Sequence, residues 1–471
     1  HPYCSRSISV TADSLIHRSN LMLQHRSVCL VLISGVLAAA AFCLPNPTAE
    51  IPHVQGAQPD TADHTVTLVG DGQTDDTEAL QALARLPGNL NLPPGSYRIT
   101  RPIEILLAES GPLSIAGAGT ARIIMDGPGP AIRVTGTHGG TASPETVNAN
   151  VWEMERTPCL DGIEIVGAHP EADGIELTGT MQPILTRITV RNARHGLILT
   201  KRNRNVVIDH CHLYNNHGIG ILFDRLNLHQ VNIANCHISY NSQGGLVIRE
   251  SEIRNLQISC CDIEGNMAPD QKPTANILID SRIGSVREIA ITGCTLQHNH
   301  TSPNSANIRC IGRSRDEPQK IGHMTIGNNV MSDVGINVHL QNVRGVTLGG
   351  NTFWKGFQHN LLVEGSSNIV VGANLFDRNP DYRPADSANG IVFRDCRDCT
   401  LTGLHLNNVL SRPAAIVIQD CAWFRISDCS ILDCPAGGIL LDNSSDCETS
   451  DNLIRHPQEH RKIMILNSQG R

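Results

Sequence analysis

The chain has 471 residues, of which 40% are apolar but only 3% aromatic, so a large core must be built mainly from small aliphatic side chains. The formal net charge is −8 at pH 7, and no block of lysine and arginine interrupts the sequence, which argues against nucleic acid and anionic membrane surfaces as main partners. An acidic polysaccharide is not excluded, because local basic residues or a bridging cation can override net charge.

Residues 1–49 are predicted to be a leader that contains an export signal, with Met22 as the true start. The segment MLQHR supplies a basic region, Val28–Phe42 an apolar run, and Ala39 and Ala41 an A-x-A cleavage site. The alternative is an uncleaved membrane anchor, since the apolar run is just short of a comfortable span. The export signal predicts a secreted or periplasmic protein with no membrane contact after cleavage.

A polar linker is expected over 50–64, followed by an N-terminal cap and first coil over 65–110. The stretch Gly70–Leu86 concentrates aspartates before an Ala- and Leu-rich run. Asp75 or Asp76 is well placed to cap a helix, which favours an architectural role over a catalytic or calcium-binding one.

The predicted cap helix covers Asp76–Leu86 and ends at Pro87-Gly88. Glu78 lies in its first turn, where a carboxylate complements the helix dipole. One apolar stripe is expected on this helix, formed by Leu80, Leu83 and Leu86. Such a helix would cover the open end of a solenoid.

The rest of the chain, 111–467, is internally repetitive. Each repeat contains a short alternating strand, a Cys or Asn, a second short strand, a variable loop and a third strand, as in NVVIDHCHLYNNHGIGILFD. The recurring corner positions are Cys211, Cys236, Cys261, Cys294, Asn329, Asn351, Asn374, Leu404, Cys429 and Asn452. Three short strands per repeat predict a parallel β-helix of about twelve coils, with an internal Asn/Cys ladder.

The ladder accounts for most of the cysteines. Three of the 16 cysteines lie in the leader, which leaves 13, and Cys396, Cys421 and Cys447 are predicted to form a second column. Stacked buried thiols are the favoured interpretation, with disulfides in an exported protein as the alternative. No pair of C-x-x-C motifs with matching partners indicates zinc.

The N-terminal signature adds a resemblance to this pattern. GDGQTDDTEALQ followed by LPPGSYRI, from Gly70 to about Ile103, resembles the start of the pectate lyase superfamily, including rhamnogalacturonase/epimerase-like and phage tailspike proteins. The resemblance implies a right-handed parallel β-helix, a polysaccharide partner, and binding along the sheet made by the third strands. It does not specify a reaction, and the short catalytic motifs of polygalacturonases and alginate epimerases are missing from this sequence.

Alternation along the third strands predicts which side chains face the glycan. The outward set is Thr178, Thr200, Asp224, Arg249, Asp280, Arg309, His339, Glu364, Arg394, Gln419 and Asp442. The candidate catalytic residues are Asp224, Arg249, Asp280, Arg309, His339 and Glu364. A register error of two residues would keep each of them on this face.

Three uses of these charges are open. Asp224 and Asp280, about 9–10 Å apart, could flank a water in inverting hydrolysis. The same carboxylates could hold Ca²⁺ against a uronate, with Arg249 or Arg309 as the base or charge neutraliser of a lyase. Alternatively, the charges simply pair across strands and keep the face soluble.

A second constellation precedes three of the third strands. Asp173, His195 and His217 each stand before a glycine at the opening of such a strand. An Asp–His contact between coils could support acid–base chemistry near neutral pH, whereas the alternative is that these side chains hydrogen-bond a bend.

The predicted function is a secreted polysaccharide lyase or glycoside hydrolase that binds an acidic or neutral glycan. The alternative is a non-catalytic glycan-binding or cell-surface structural β-helix. No dinucleotide or phosphate-binding fingerprint indicates an organic cofactor, and Ca²⁺ is the cation considered.

Overall fold

The computed structural model describes residues 66–141, 143–317, 321–383 and 385–470, so the predicted leader and linker lie outside the described residues. The described chain falls in one compact unit, Thr65–Arg471. No helix within it is long and apolar enough to cross a bilayer.

Three parallel sheets run side by side along a solenoid, which confirms the predicted parallel β-helix. The third-strand sheet stacks fourteen described strands, slightly more coils than expected. They are Ile103–Leu106, Gly129–Thr135, Ala172–Met181, Leu197–Asp209, Ile221–Ala234, Leu246–Ser259, Ala275–Thr292, Ala306–Gly312, Val334–Gln341, Gly356–Glu364, Gly390–Arg394, Ile416–Gln419, Ile439–Asp442 and Ile463–Leu466.

Four of these strands, from Leu197–Asp209 to Ala275–Thr292, continue round the bend into the first-strand sheet. The other strands of the first-strand sheet are Gly88–Asn91, Leu113–Met125, Cys159–Gly167, Ile184–Thr186, Ile321–Gly327, Arg344–Gly349, Ser367–Val371, Arg397–Thr402, Ala422–Ser427, Ser445–Ser450 and Gln469–Gly470. Leu113–Met125 and Cys159–Gly167 also continue into the second-strand sheet.

The second-strand sheet is built from very short strands. Apart from those two continuations, they are Asp71–Asp75, Gly95–Ile99, Thr189–Arg191, His212–Tyr214, His237–Ser239, Asp262–Glu264, Thr295–Gln297, Val330–Met331, Thr352–Phe353, Leu375–Phe376, His405–Leu406, Ser430–Ile431 and Leu453–Ile454. The helical pieces are Thr77–Ala84, Leu107–Ser110, Pro144–Thr146, Val151–Glu155 and Glu459–Arg461. Inward-facing side chains of all three sheets form one continuous core of Ile, Leu, Val, Phe and Cys.

The predicted Asn/Cys ladder is confirmed at the corner between first and second strands. The backbone N–H of Cys211 donates to Cys236 Sγ at 3.4 Å. The ladder changes from thiol to amide after Cys294, whose N–H donates to Asn329 Oδ1 at 2.9 Å. Asn329 Nδ2 then donates to Asn351 Oδ1 at 3.0 Å, so each coil satisfies polar groups of its neighbour.

A second amide ladder, which the sequence analysis did not identify, stands at the corner before the third strand. Its members are Asn216, Asn241, Asn266, Asn276, Asn307, Asn337 and Asn360. Successive side chains are joined by Nδ2-to-Oδ1 hydrogen bonds of 2.7–2.9 Å. This ladder runs along the coils whose third strands extend from Ile221–Ala234 to Gly356–Glu364, and it fixes the register of those strands.

The predicted second cysteine column is wrong in one member. Cys396 donates its N–H to Cys421 Sγ, but Cys421 donates its own N–H to Ser444 Oγ, not to Cys447. Cys447 lies three residues farther along, on the first strand, opposite Phe424. All 13 described cysteines are free thiols, and they are buried apart from half-buried Cys159 and exposed Cys260.

The cap helix is Thr77–Ala84, shorter than predicted, with Asp76 at the N-cap position. The Asp76 carboxylate does not cap the helix; it accepts the N–H groups of Val69 and Gly70. Asp75 accepts the Thr77 N–H at 3.0 Å instead. These contacts assign both carboxylates to turn geometry.

The apolar stripe of the cap is only partly as predicted. Leu80 is buried against the solenoid, but Leu86 lies beyond the end of the helix and is exposed. The helix terminates before Leu86 can complete the stripe, and Ala84 takes its place in the core.

Candidate functional site

The long loops stand beside the third-strand sheet, as expected from their positions before the third strands. They are Gly265–Thr274, His298–Ala306 and Asp377–Ser387. Beneath them an apolar row on the outer face of the sheet is buried, including Leu362, Val392 and Val417. The sheet is therefore walled on one side by these loops.

The strand register confirms most of the predicted outward column. Its members are Thr178, Thr200, Asp224, Arg249, Asp280, Ile311, Gln341, Glu364, Arg394, Gln419 and Asp442. Arg309 and His339 were predicted in this column, and the structure places them elsewhere. They pair with Leu278 and Leu362 in the neighbouring column, two residues earlier on the same face.

The sequence contains the signal that would have given this register. Asn276 and Asn307 both precede the inward residues of their strands in the motifs ANILID and ANIRCI. Because these amides stack in one ladder, Arg309 aligns with Leu278 and not with Asp280.

The first charged group on the face consists of ion pairs. Asp224 accepts from Arg249 Nε at 2.7 Å through Oδ1 and from Arg225 through Oδ2. Asp280 forms a bidentate pair with Arg282, with Nε–Oδ1 at 2.9 Å. Both carboxylates proposed for hydrolysis or calcium binding therefore have guanidinium partners.

The second charged group is a relay, a chain of hydrogen bonds and ion pairs that runs across four coils, from Arg309 to Arg394. Arg309 Nε donates to His339 Nδ1 at 3.2 Å, and His339 Nε2 lies 3.0 Å from Glu364 Oε2. Glu364 Oε1 is 3.5 Å from Arg394 Nη1. The structure thus brings together three of the six predicted site residues, and Arg394 of the same outward set.

Arg309 is the buried end of this relay. Its guanidinium is buried, forms no ion pair with a described carboxylate, and donates to the carbonyls of Thr274 and Asn304. Burial lowers the pKa of Arg309 to about 10, which leaves it charged at neutral pH.

The electrostatics of the relay favour an ionised carboxylate. The hydrogen bond from His339 holds the pKa of Glu364 below its usual 4.5, and Arg394 acts in the same direction against the effect of burial. Nearby His359 is neutral at pH 7, because burial chiefly lowers its pKa to about 4. Its Nδ1 is buried without a hydrogen-bond partner among the described residues.

The predicted Asp–His contact before the third strands is formed through the backbone of His195 and not through its ring. Asp173 accepts two hydrogen bonds from the guanidinium of Arg194 and one from the backbone N–H of His195. His195 Nδ1 accepts from the Ile219 N–H, and His217 Nε2 lies 2.8 Å from the Pro170 carbonyl. Burial chiefly lowers the pKa of His195 to about 4. These side chains hydrogen-bond the bends.

The loop wall carries a cluster that the sequence analysis missed. Lys355 is only 3% exposed and forms a 2.6 Å ion pair with Asp386. Its ammonium lies 5.1 Å from the ring centre of Phe357 and 4.7 Å from that of Tyr382. Lys355 and Phe357 come from one coil and Tyr382 and Asp386 from the loop of the next coil, so no short sequence motif contains the cluster.

The described residues do not form a metal site. No group of three or more His, Cys, Asp or Glu side chains within them is placed to hold an ion. The ladder thiols donate to backbone carbonyls, as Cys261 does to Ser259, and Asp224 and Asp280 are separated by a coil that carries Arg249. Neither a copper-type thiolate and imidazole set nor a calcium-type oxygen set is assembled.

Two family models match the chain over stretches that overlap at residues 274–282. Residues 153–282 match "Right handed beta helix region", and residues 274–462 match "Periplasmic copper-binding protein (NosD)". The residues found here do not fit the copper site that the second description names. No curated protein is significantly similar to the chain.

Several solved structures are similar to the chain at low sequence identity. The Dettilon tailspike protein is 14% identical, with 86% of this chain and 67% of that chain covered and a TM-score of 0.46. The surface protein and adhesin PfbA of Streptococcus pneumoniae is 14% identical, with coverages of 86% and 96% and a TM-score of 0.38. The mannuronan C-5 epimerase A-module of Azotobacter vinelandii is 12% identical, with coverages of 86% and 98% and a TM-score of 0.36.

The fold assignment rests on the parallel three-sheet topology and the first of the two model matches. Together they show that the chain forms a right-handed parallel β-helix.

Proposed function

We propose that this protein is an exported polysaccharide-active enzyme that binds a glycan along the third-strand sheet and uses Glu364 as its general base. The observation that carries the proposal is the relay through Arg309, His339 and Glu364. The Glu364 side chain is 30% exposed on the outer face, so a reacting group can reach it. A titratable group that is fixed by a second residue, which a third residue orients, is the usual arrangement of an acid–base site.

The hydrogen bonds assign a role to each member. Arg309 has only donors, so His339 Nδ1 must accept, and the ring proton lies on Nε2 and is donated to Glu364. His339 is therefore a positioning residue, and the free lone pairs of Glu364 are left for substrate. Arg394 is placed to bind an anionic substituent or to neutralise charge that develops on it.

Proton abstraction beside a uronate carboxylate agrees better with this geometry than hydrolysis. Abstraction needs one base and a neutralising cation, which Glu364 and Arg394 supply. Hydrolysis needs two carboxyl groups, and Asp224 and Asp280 are both paired with arginine. The lyase reaction is therefore the favoured form of the proposal.

The test is reaction of the purified protein with polyuronates and neutral glycans, following the ultraviolet absorbance of unsaturated uronates together with reducing ends. We expect an absorbance rise that Glu364→Gln reduces by about 100-fold or more. Asp442→Asn is the matched control, because Asp442 lies in the same outward column three coils away.

Other outcomes distinguish the alternatives. Reducing ends without an absorbance rise, abolished by Asp224→Asn or Asp280→Asn, would assign hydrolysis to that pair. Glycan binding with neither signal would support the non-catalytic β-helix, which the ion pairing of Asp224 and Asp280 favours. Turnover that survives Glu364→Gln would overturn the role of Glu364.

A further inference from the structure

Several aromatic side chains meet at one place on the outside of the solenoid. The chain has 3 Trp, 5 Tyr and 7 Phe, and five of the phenylalanines are core residues. Trp354, Phe357 and Tyr382 instead gather on the loop wall, together with His300. They come from three coils, so their proximity is a product of the fold.

We propose that Tyr382 and Trp354 form a carbohydrate-stacking subsite, supported by Phe357 and His300, which binds the apolar face of an uncharged pyranose residue of the glycan. The proposal rests on the proposed function only in taking a glycan as the ligand. It adds a binding site and its specificity, which the relay at Glu364 does not provide.

The rings are held in a fixed arrangement. His300 stacks on Phe357 with ring centres 3.9 Å apart and planes 9° apart. Trp354 meets Tyr382 edge to face at 5.9 Å. A rigid aromatic surface binds with little loss of conformational entropy, which is why such side chains dominate the affinity of many sites.

Lys355 holds two rings of this group, which we call the platform (Trp354, Phe357, Tyr382 and His300). Its ammonium contacts the faces of Phe357 and Tyr382 and is neutralised by Asp386 at 2.6 Å. Because this cation is enclosed and paired, it is not available to a uronate carboxylate. A carboxylate placed here would also meet Asp386, so the subsite selects an uncharged sugar.

Two of the rings remain accessible. Tyr382 is 46% exposed and Trp354 is half-buried, whereas Phe357 is covered by His300 and Lys355 and supports them. A pyranose ring has an apolar C–H face and a hydroxyl rim, which matches an aromatic surface bordered by Asp386 and other polar groups.

The platform is continuous with the charged relay. The strand Gly356–Glu364 carries Phe357 near its start, His359 in the middle and Glu364 at its end. Seven residues of strand span at most about 23 Å, so a glycan of a few sugars can reach from the platform to Glu364.

The experiment is calorimetric titration of neutral β-glucan and galacturonate hexasaccharides, performed in the Glu364→Gln background so that turnover does not interfere. We expect Tyr382→Ala and Trp354→Ala each to weaken binding of the neutral hexasaccharide about 10-fold, as loss of one stacking ring does elsewhere. Tyr382→Leu, which retains apolar volume without the aromatic ring, should also weaken binding.

Two exposed aromatics outside the wall provide matched controls. Trp423, 63% exposed, and Tyr240, 55% exposed, should be replaceable by alanine with less than a twofold change in Kd. In a Trp152→Phe/Trp423→Phe protein the remaining Trp354 emission should shift when the sugar is added.

The subsite is overturned if Tyr382→Ala binds like the parent, if the control variants lose as much affinity, or if no hexasaccharide binds. Weakened binding in the platform variants, without cleavage by the wild-type protein, would retain the subsite and reject the proposed enzyme. Cleavage by the wild-type protein, together with unchanged binding in the platform variants, would retain the proposed enzyme and reject the subsite.

Discussion

Gln81 of the cap helix pairs with the backbone of Glu104 as a neighbouring strand would. Its Nε2 donates to the Glu104 carbonyl and its Oε1 accepts from the Glu104 N–H, both at 2.8 Å. One side-chain amide therefore satisfies the backbone N–H and carbonyl of a residue in Ile103–Leu106, the strand at the open N-terminal edge of the third-strand sheet. An exposed parallel edge is a template for unwanted strand pairing, so this contact protects the solenoid end.

Replacing Gln81 by leucine should destabilise the N-terminal coils by about 1–3 kcal/mol, because the change leaves a buried donor and acceptor without partners. The measurement is urea unfolding combined with hydrogen exchange at the Glu104 amide, which should lose protection. Exposed Gln73→Leu in the same cap is the control and should change neither.

The thiols should differ sharply in reactivity. Cys260 is exposed at a bend, whereas the adjacent Cys261 is buried in the ladder, where its pKa is raised to about 12, chiefly by its hydrogen bond with Cys236. Brief maleimide treatment followed by peptide mass spectrometry should label Cys260 first and Cys261 only after denaturation. Equal labelling of both residues would contradict the ladder.

Arg309 should act on the pH dependence of turnover through His339. Arg309→Gln removes the charged donor that holds the ring of His339, so the hydrogen bond that lowers the pKa of Glu364 weakens and the acid limb of kcat/KM should move to higher pH. Arg309→Lys should restore part of the wild-type profile, because it returns a charged donor. A variant that loses stability but retains an unshifted profile would show that Arg309 has only a structural role.

His138 should make the protein sensitive to acid. Burial, followed by the charges of Arg202 and Arg204, lowers its pKa to about 4 from the usual 6.5. Below pH 6.5 the unfolded chain takes up a proton at this histidine and the folded chain does not. The free energy of unfolding is therefore highest above pH 6.5 and falls by about 3 kcal/mol as the pH approaches 4.

His138→Phe tests this linkage. Both ring nitrogens of His138 are buried without hydrogen-bond partners in the described chain, so phenylalanine should not forfeit a contact. The unfolding midpoint of the variant should fall less steeply than that of the wild type between pH 7 and 4. His405→Phe, at an exposed strand position, is the control and should retain the wild-type slope.

The sequence was sufficient for the fold because the solenoid repeats its local signals. The Asn/Cys corner could be read from Cys211 to Asn452, since each coil must satisfy the same bend. Outward residues such as Asp224 followed from the two-residue period of a strand, and the register error at Arg309 left it on the predicted face.

What the sequence did not reveal was how side chains pair after the bends and across the loops. The Arg225–Asp224 and Arg282–Asp280 pairs depend on how the bend after each strand turns a side chain back toward it. The cluster around Lys355 depends on the conformations of loops from separate coils. Neither arrangement has a periodicity that could be read in advance.

The long loops all enter at one corner, directly before the third strand. The pairing of the strands that follow these loops is regular. Ala275 pairs with Ala306 and Ala306 pairs with Ile336, although the intervening loops differ in length. Insertions, deletions and substitutions in these loops can therefore accumulate without disturbing the coils on either side. Evolution can alter the ligand of such a protein by changing one corner of its cross-section, while the solenoid is inherited intact.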